Sequence, residues 1–332
     1  MSKRFNAFRV EELDGEKPEY RASIIERSVD DLPEGEVLIR VAYSSLNYKD
    51  ALSASGNKGV TRQYPHTPGI DLAGEVVEAF EDCFSVGTPV LVTGFDLGMN
   101  TDGGFAEYAR VPASWVVPLP EAMSLKESMI LGTAGLTAAL CVEKLLQNGL
   151  KPEQGEVLVT GATGGVGSIA VALLAKLGFE VVACTGKQDK VEFLCKIGAS
   201  NVIGRDELDI DNKRPLLKER WAGAVDVVGG DTLMAILKSL RHSGSVAACG
   251  LVGSTSLDAS VFPFILRGVN LLGVDSVMLS QEKKQSVWQK LSTQWKLDNL
   301  EEMSKAISMQ ELEESLALIL AGKASGRTVL EL

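Results

Sequence analysis

Three stretches of this 332-residue chain hold residue types at spacings that could do chemistry. The first is Gly161-Ala162-Thr163-Gly164-Gly165-Val166-Gly167, preceded by the apolar run Glu156 to Thr160 and followed by Ile169, Val171, Ala172, Leu174 and Ala175 at helical spacing. Glycines there let the backbone turn tightly and approach a pyrophosphate at a helix N-terminus, where unpaired N–H groups and the dipole favour an anion. An ordinary glycine-rich turn has the same composition; the strand before and the helix after carry the dinucleotide reading. The second stretch is Thr185-Gly186-Lys187, after the next apolar run, where an NAD-specific fold places a carboxylate on the ribose. Here a hydroxyl and an ammonium stand instead, with Arg205 beyond the short run Asn201 to Ile203. Solvated surface charges would look alike, but together these groups suit a 2′-phosphate and predict NADPH.

The third stretch is Ser45-Leu46-Asn47-Tyr48-Lys49-Asp50, with the loop Gly56 to Arg62 and Pro68-Gly69-Ile70-Asp71 behind it. An amide, a phenol and a carboxylate this close could orient one another and donate to a developing oxyanion. Taken alone, the same residues fit a turn and a half-buried tyrosine with a satisfied hydroxyl better.

Other chemistries have little to draw on. The two histidines, His66 and His242, have no cysteine nearby, so a zinc site of the usual kind is not expected. Cys83, Cys141, Cys184, Cys195 and Cys249 are odd in number and widely spaced, which fits a reducing cytoplasm; Cys184 and Cys195 read as small core hydrophobes. The net charge of -11 repels nucleic acid and anionic bilayers. Met1 to Val10 has no secretory h-region, and the uncharged run Val157 to Ala175 is split by its glycines into strand and helix, so no membrane span is expected.

The elements that must position these stretches fall into two textures. From Arg4 to about Pro120, short β-branched or alternating runs (about residue 20 to Arg27, Glu36 to Tyr43, Gly74 to Phe80, Pro89 to Gly94, Phe105 to Val111) predict a β barrel or sandwich. A helical apolar stretch from Leu125 to Leu145 marks the boundary. Beyond Gly155, strands and helices alternate as in a doubly wound parallel sheet, ending in the apolar Val269 to Val274, an edge strand that predicts a homodimer. Two helices and a last strand, Thr328 to Leu332, follow; a terminal strand needs a sheet, so it is expected to return to the first domain. The domains expected are thus residues 1–127 completed by 278–332, and residues 128–277.

With Asn47-Tyr48-Lys49-Asp50, Pro68 to Gly74, Asp102 to Tyr108, Gly132 to Ala138 and the glycine loop, the chain resembles the medium-chain dehydrogenase/reductase superfamily along its whole length. Zinc-dependent members carry Gly-His-Glu where this chain has Gly69-Ile70-Asp71, and a cysteine near Asn47, so the resemblance is to the zinc-free side. Leu46 to Leu52, Val182 to Lys187, Gly204 to Glu207 and Pro263 to Val277 are similar to the NADPH-dependent acryloyl-CoA reductase subfamily, many of whose members are described as quinone oxidoreductases. The resemblance implies a GroES-like β-barrel catalytic domain, a Rossmann domain and a cleft between them. Carried over by position, Tyr48, Thr163, Gly164, Gly165, Val166, Thr185, Gly186, Lys187, Arg205, Leu251, Ile265 and Ser276 would line NADPH; Lys187 stands where arginine is common, keeping the charge but losing the fork.

The expected activity is reduction of the double bond of a short enoyl-CoA. Without a metal, the thioester oxygen must be held by Tyr48, Asn47 or backbone N–H groups, which makes Tyr48, Asn47 and Asp50 the candidate catalytic residues. Coenzyme A phosphates need local cations, for which Lys49, Lys58, Arg62 and Arg327 are candidates. Quinone reduction, or NADPH binding without turnover, are the competing expectations.

Overall fold

The computed structural model describes residues 3–15, 18–80, 83–208, 210–211, 213–298 and 300–332. The chain divides into two units, Met1–Thr133 with Val277–Thr293 and Asp298–Leu332, and Ala134–Ser276 with Gln294–Leu297.

In the first unit, β1 (Arg4–Leu13) and β2 (Glu19–Ser28) form an antiparallel hairpin. Next come β3 (Val37–Ser45), a short helix α1 (Tyr48–Ala54), β4 (Asp71–Ala79), β5 (Pro89–Thr93), β6 (Tyr108–Val111) and β7 (Val117–Pro118). β3 pairs antiparallel with both β4 and β6. Its alternate residues Val37, Ile39 and Val41 point into a core shared with Leu72, Val76, Val90 and Val92, the period-two pattern of a half-buried strand. Sequence reading took Ser45 to Asp50 as a turn. The chain instead starts a helix there, because Asn47 at the N-cap and Asp50 three residues on form a capping pair in which the Asp50 carboxylate accepts the Asn47 N–H at 2.7 Å.

α2 (Leu125–Gln147) is broken at Gly132, whose φ of 52° and ψ of -155° lie outside the helical region. The unit boundary consequently falls at Thr133/Ala134 rather than at 127/128: the apolar periodicity begins at Leu125, but the backbone turns only where a glycine allows it. This helix is long and apolar enough to cross a membrane, yet 83% of its apolar window is buried in the protein.

The second unit runs β8 (Val157–Val159), α3 (Gly165–Lys176), β9 (Val181–Cys184), α4 (Val191–Lys196), β10 (Asn201–Ile203), β11 (Trp221–Asp226), α5 (Gly230–Ser239), β12 (Leu240–Ala248), α6 (Phe262–Arg267) and β13 (Asn270–Gly273). Among the described residues the sheet has the order β10-β9-β8-β11-β12-β13, with every neighbouring pair parallel. The chain leaves β8 toward β9 on one side and resumes at β11 on the other, which puts a topological switch point at the carboxyl ends of β8 and β11. β13 is an edge strand, and Leu271 on it is exposed, as are Val261, Phe262, Ile265 and Leu266 before it. His242 lies on β12, and Cys195 is exposed on α4 rather than in the core.

After α7 (Gln281–Ser292) come β14 (Ser304–Ile307), α8 (Leu312–Leu320) and β15 (Arg327–Glu331). β15 pairs antiparallel with β3, Val329 opposite Ser45 and Leu330 opposite Ser44, and carries β14 parallel on its outer side. The tail thus completes the first unit's sheet. A Cβ built on Gly132 would meet Ser45 Oγ at 2.4 Å, Asp71 Oδ2 at 2.6 Å and Arg327 Nη2 at 3.0 Å. Gly132→Ala is therefore expected to lower unfolding free energy by about 2 kcal/mol or more, from a strained φ plus overpacking; an unchanged denaturant midpoint would contradict this.

Candidate functional site

The glycine loop turns at Gly161, which has a φ of 55°, and reaches α3 through the N-cap Gly164. A side chain on Gly167 would strike the Gly161 carbonyl at 2.3 Å, so helix and loop approach as closely as glycine permits. The first-turn N–H groups of α3, from Gly165, Val166 and Gly167, have no intrahelical acceptor and face the loop end of the sheet, the arrangement that binds a phosphate. Thr163 and Thr185 are buried, with hydroxyls 3.4 Å apart, and Thr185 Oγ1 accepts the Lys187 N–H at 3.0 Å. The exposed Arg205 lies over Gly186, where a Cβ would sit 3.1 Å from its guanidinium carbon. Burial lowers the Lys187 pKa, opposed by Asp189, and Arg205 lowers it further. Thr185, Gly186, Lys187 and Arg205 are thus brought together at the carboxyl ends of β9 and β10. Burial pushes the neighbouring Cys184 thiol up to about 11 and keeps it inert. Ser276 is buried and accepts a 2.7 Å hydrogen bond from Thr137 Oγ1, while Leu251, after β12, and Ile265, on α6, are 61% and 75% exposed.

The first unit holds a buried polar cluster around Asp71. Its Oδ2 accepts from Ser45 Oγ (2.6 Å), Asn47 Nδ2 (2.8 Å) and the Thr133 N–H (2.9 Å), and its Oδ1 accepts from Thr133 Oγ1 (2.5 Å). Beside it, Asp50 Oδ2 takes the Asn47 N–H, and Oδ1 takes those of Gly69 (3.2 Å) and Ile70 (2.8 Å). Burial raises the Asp50 carboxyl to about 7, the Asp71 charge adding to it and the hydrogen bonds from Ile70 and Asn47 opposing it. Arg327 is also buried, with Nε donating to the Ile130 carbonyl at 2.8 Å and Nη1 to that of Leu46 at 3.1 Å. Burial lowers its pKa, and the charges of Asp71 and Asp50 oppose that.

Several sequence expectations change accordingly. Asp50 is a buried clamp on backbone N–H groups, not a group facing the reacting bond. The Asn47 amide is committed to Asp71 and to the Ser45 carbonyl at 3.3 Å, so it is not an available oxyanion donor. Arg327 is not a surface cation, because β15 carries it into the core. Lys58 is paired with Glu12 at 2.5 Å and lies over the Tyr20 and Tyr64 rings, which leaves the half-buried Lys49 and the exposed Arg62 as candidate cations. Tyr48, at the first position of α1, is 42% exposed. Sequence reasoning missed Ser45 and Thr133, for which neighbouring residues gave no signal.

Residues 33–121 match the family model of the alcohol dehydrogenase GroES-like domain, and residues 165–293 that of the zinc-binding dehydrogenase. The chain belongs to the medium-chain dehydrogenase/reductase superfamily. It is 44% identical to the acrylyl-CoA reductase AcuI of Ruegeria pomeroyi over 98% of this chain and 99% of that one. Its structure is similar to Salmonella enterica YhdH in complex with NADP (TM-score 0.94, 42% identity, 98% and 99% coverage). It is also similar to Bacillus subtilis YhfP with NAD bound (TM-score 0.96, 44% identity, 100% of both chains). As in such dehydrogenases, the antiparallel unit is GroES-like and the parallel unit is a Rossmann domain. The second family model's name implies zinc, but the donor set here does not fit it. Ile70 offers no lone pair, both Asp71 oxygens are engaged, and no group of three or more His, Cys, Asp and Glu side chains among the described residues could hold a metal ion.

Because the folded dehydrogenase holds the Asp50 proton to about pH 7 and the unfolded chain releases it near 3.8, the fold binds more protons in between, and this group's contribution to stability falls as pH rises through that window. Asp50→Asn removes the titration. The melting temperature of the wild type relative to this variant is expected to decline from pH 5 to pH 8; parallel pH profiles would refute the shift.

Proposed function

We propose that the protein is an NADPH-dependent reductase of short enoyl-CoA thioesters that converts acryloyl-CoA to propanoyl-CoA. Similarity to an acrylyl-CoA reductase over 98% of the chain carries the reading. The cluster of Thr185, Lys187 and Arg205, with no carboxylate in the place of the ribose partner, supports the phosphorylated cofactor. The glycine loop and the first turn of α3 take the pyrophosphate, and Leu251, Ile265 and Ser276 are assigned to the rest of the cofactor.

When bound, NADPH would supply a hydride to the β carbon of the enoyl thioester, leaving as NADP+, and a proton from water would reach the α carbon to complete the saturated thioester. As the hydride arrives, charge gathers on the thioester oxygen, and the Tyr48 phenol, exposed at the start of α1, donates a hydrogen bond to it. Asn47 and Asp50 hold the helix end that carries this phenol, and Lys49 and Arg62 supply positive charge for the coenzyme A phosphates. No step passes through a metal. The exposed apolar residues of α6 and the β13 edge suit a homodimer by edge pairing, and five unpaired thiols suit a reducing cytoplasm.

The deciding experiment is a spectrophotometric panel of NADPH oxidation with enoyl-CoA thioesters, a truncated acrylate thioester and quinones. Acryloyl-CoA is expected to lead, exceeding the truncated thioester in turnover as well as affinity, and to be weakened by salt more than a quinone. Efficient quinone turnover without acryloyl-CoA activity would overturn the assignment. NADPH is expected to be preferred over NADH by about tenfold or more. A Lys187→Ala, Arg205→Ala double variant should lose that preference, and retention of it in full would show that these cations do not read the phosphate.

A further inference from the structure

We propose that Thr133 is a positioning residue for the reduction: its hydroxyl anchors Oδ1 of the Asp71 carboxylate, which keeps Oδ2 on the Asn47 amide instead of being drawn onto Arg327, and so fixes the end of α1 that presents Tyr48. This rests on the reading of Tyr48 as the phenol at the thioester oxygen.

Asp71 Oδ2 is shared by Ser45, Asn47 and the Thr133 N–H, whereas among the described residues Oδ1 accepts only from Thr133 Oγ1, at 2.5 Å. A competitor for the carboxylate lies close by. Arg327 Nη2 is buried and has no hydrogen-bond partner among the described residues. It flanks the same point above Gly132 as Asp71 Oδ2, at 3.0 and 2.6 Å from the position a Cβ would take, and no hydrogen bond joins the two charged groups. An unpaired guanidinium N–H next to a carboxylate in a dry interior pulls that carboxylate toward itself. The Thr133 hydroxyl opposes the pull by occupying Oδ1. Without it, Asp71 would lose a partner and shift toward Arg327, and the Asn47 amide would lose the shorter of its two hydrogen bonds, keeping only the 3.3 Å contact to the Ser45 carbonyl. Asn47 is the N-cap of α1 and Tyr48 the next residue, so the release reaches the phenol within one peptide unit. Gly132 makes the arrangement possible, because the break it introduces in α2 brings the Thr133 N–H and hydroxyl to the same carboxylate.

The test compares Thr133→Val, isosteric but without the hydroxyl, with Thr133→Ser, which keeps it, each alone and with Tyr48→Phe. Acryloyl-CoA reduction is measured together with NADPH binding and melting temperature. Thr133→Val is expected to lower kcat about tenfold or more, as displacement of a positioned group does, with KM and the NADPH Kd within about twofold of wild type. Thr133→Ser is expected to restore kcat to within about threefold. In the Tyr48→Phe background, Thr133→Val should have no further effect, because the two act through one group. Where Thr133→Val does not fold, Asn47→Ala cuts the same relay at its other end and is read the same way. If Tyr48→Phe leaves kcat unchanged, the reading of Tyr48 falls and this inference with it. If Tyr48→Phe slows the enzyme but Thr133→Val does not, or slows it equally in the Tyr48→Phe background, the positioning role alone is overturned.

Discussion

A carboxylate can be buried only where donors replace the water it loses, and the first unit is organised around meeting that condition at Asp71. Four hydrogen bonds reach it, from the end of β3, from the residue that caps α1 and from both polar groups of Thr133. The three donor residues belong to three different elements, so satisfying one charge fixes all three relative to it. The break in α2 meets the same condition from the other side. A helix that stops leaves N–H and C=O groups without partners, and here the orphaned Thr133 N–H goes to a carboxylate while the orphaned Ile130 carbonyl goes to a guanidinium. Opposite charges thus satisfy the two ends of one backbone interruption. Asp50, sealed behind the same helix end, is destabilised as an anion by its burial and by Asp71, and three backbone N–H groups oppose this only in part.

The Rossmann unit meets its requirement differently. At its switch point stand backbone N–H groups of a helix start, which have no intrahelical acceptor, and the polar side chains of strand ends. One unit buries its charged groups and gives them partners from within the chain, while the other gathers its polar groups at the open ends of its strands.

How much could be read from the sequence depended on how far apart the partners lie. The glycine loop, β8 and α3 are neighbours in the chain, and Thr185 to Lys187 adjoins a strand whose apolar run is plain, so these elements emerged from local pattern alone. Asp50 was legible as a carboxylate near Tyr48 but not as a clamp, because two of its N–H partners belong to Gly69 and Ile70. The Asn47/Asp50 spacing did contain a helix signal, hidden by the brevity of α1. Arg327 was misread for the same reason at greater range: an arginine near a chain end looks solvated until β15 is seen to pair with β3, carrying it to the carbonyl of Ile130. Thr133 stood within the Gly132 to Ala138 stretch, but nothing marked it as a partner of Asp71, since a threonine after a glycine in an apolar helix has no pattern of its own.

The placement of β15 also bears on how the chain is made. Synthesis proceeds from the amino end, and domains fold as their residues emerge from the ribosome. The strands of the Rossmann sheet among the described residues lie between Val157 and Gly273 and are available to one another early. The sheet that holds the buried carboxylates must wait, because its strand at Arg327–Glu331, with the guanidinium that offsets their charge, is translated after the strands it joins. Until then Asp50 and Asp71 lack their counter-charge, and the nascent first unit has reason to stay open. A nascent chain therefore has every strand of its parallel sheet in hand before it can close the sheet that buries these carboxylates.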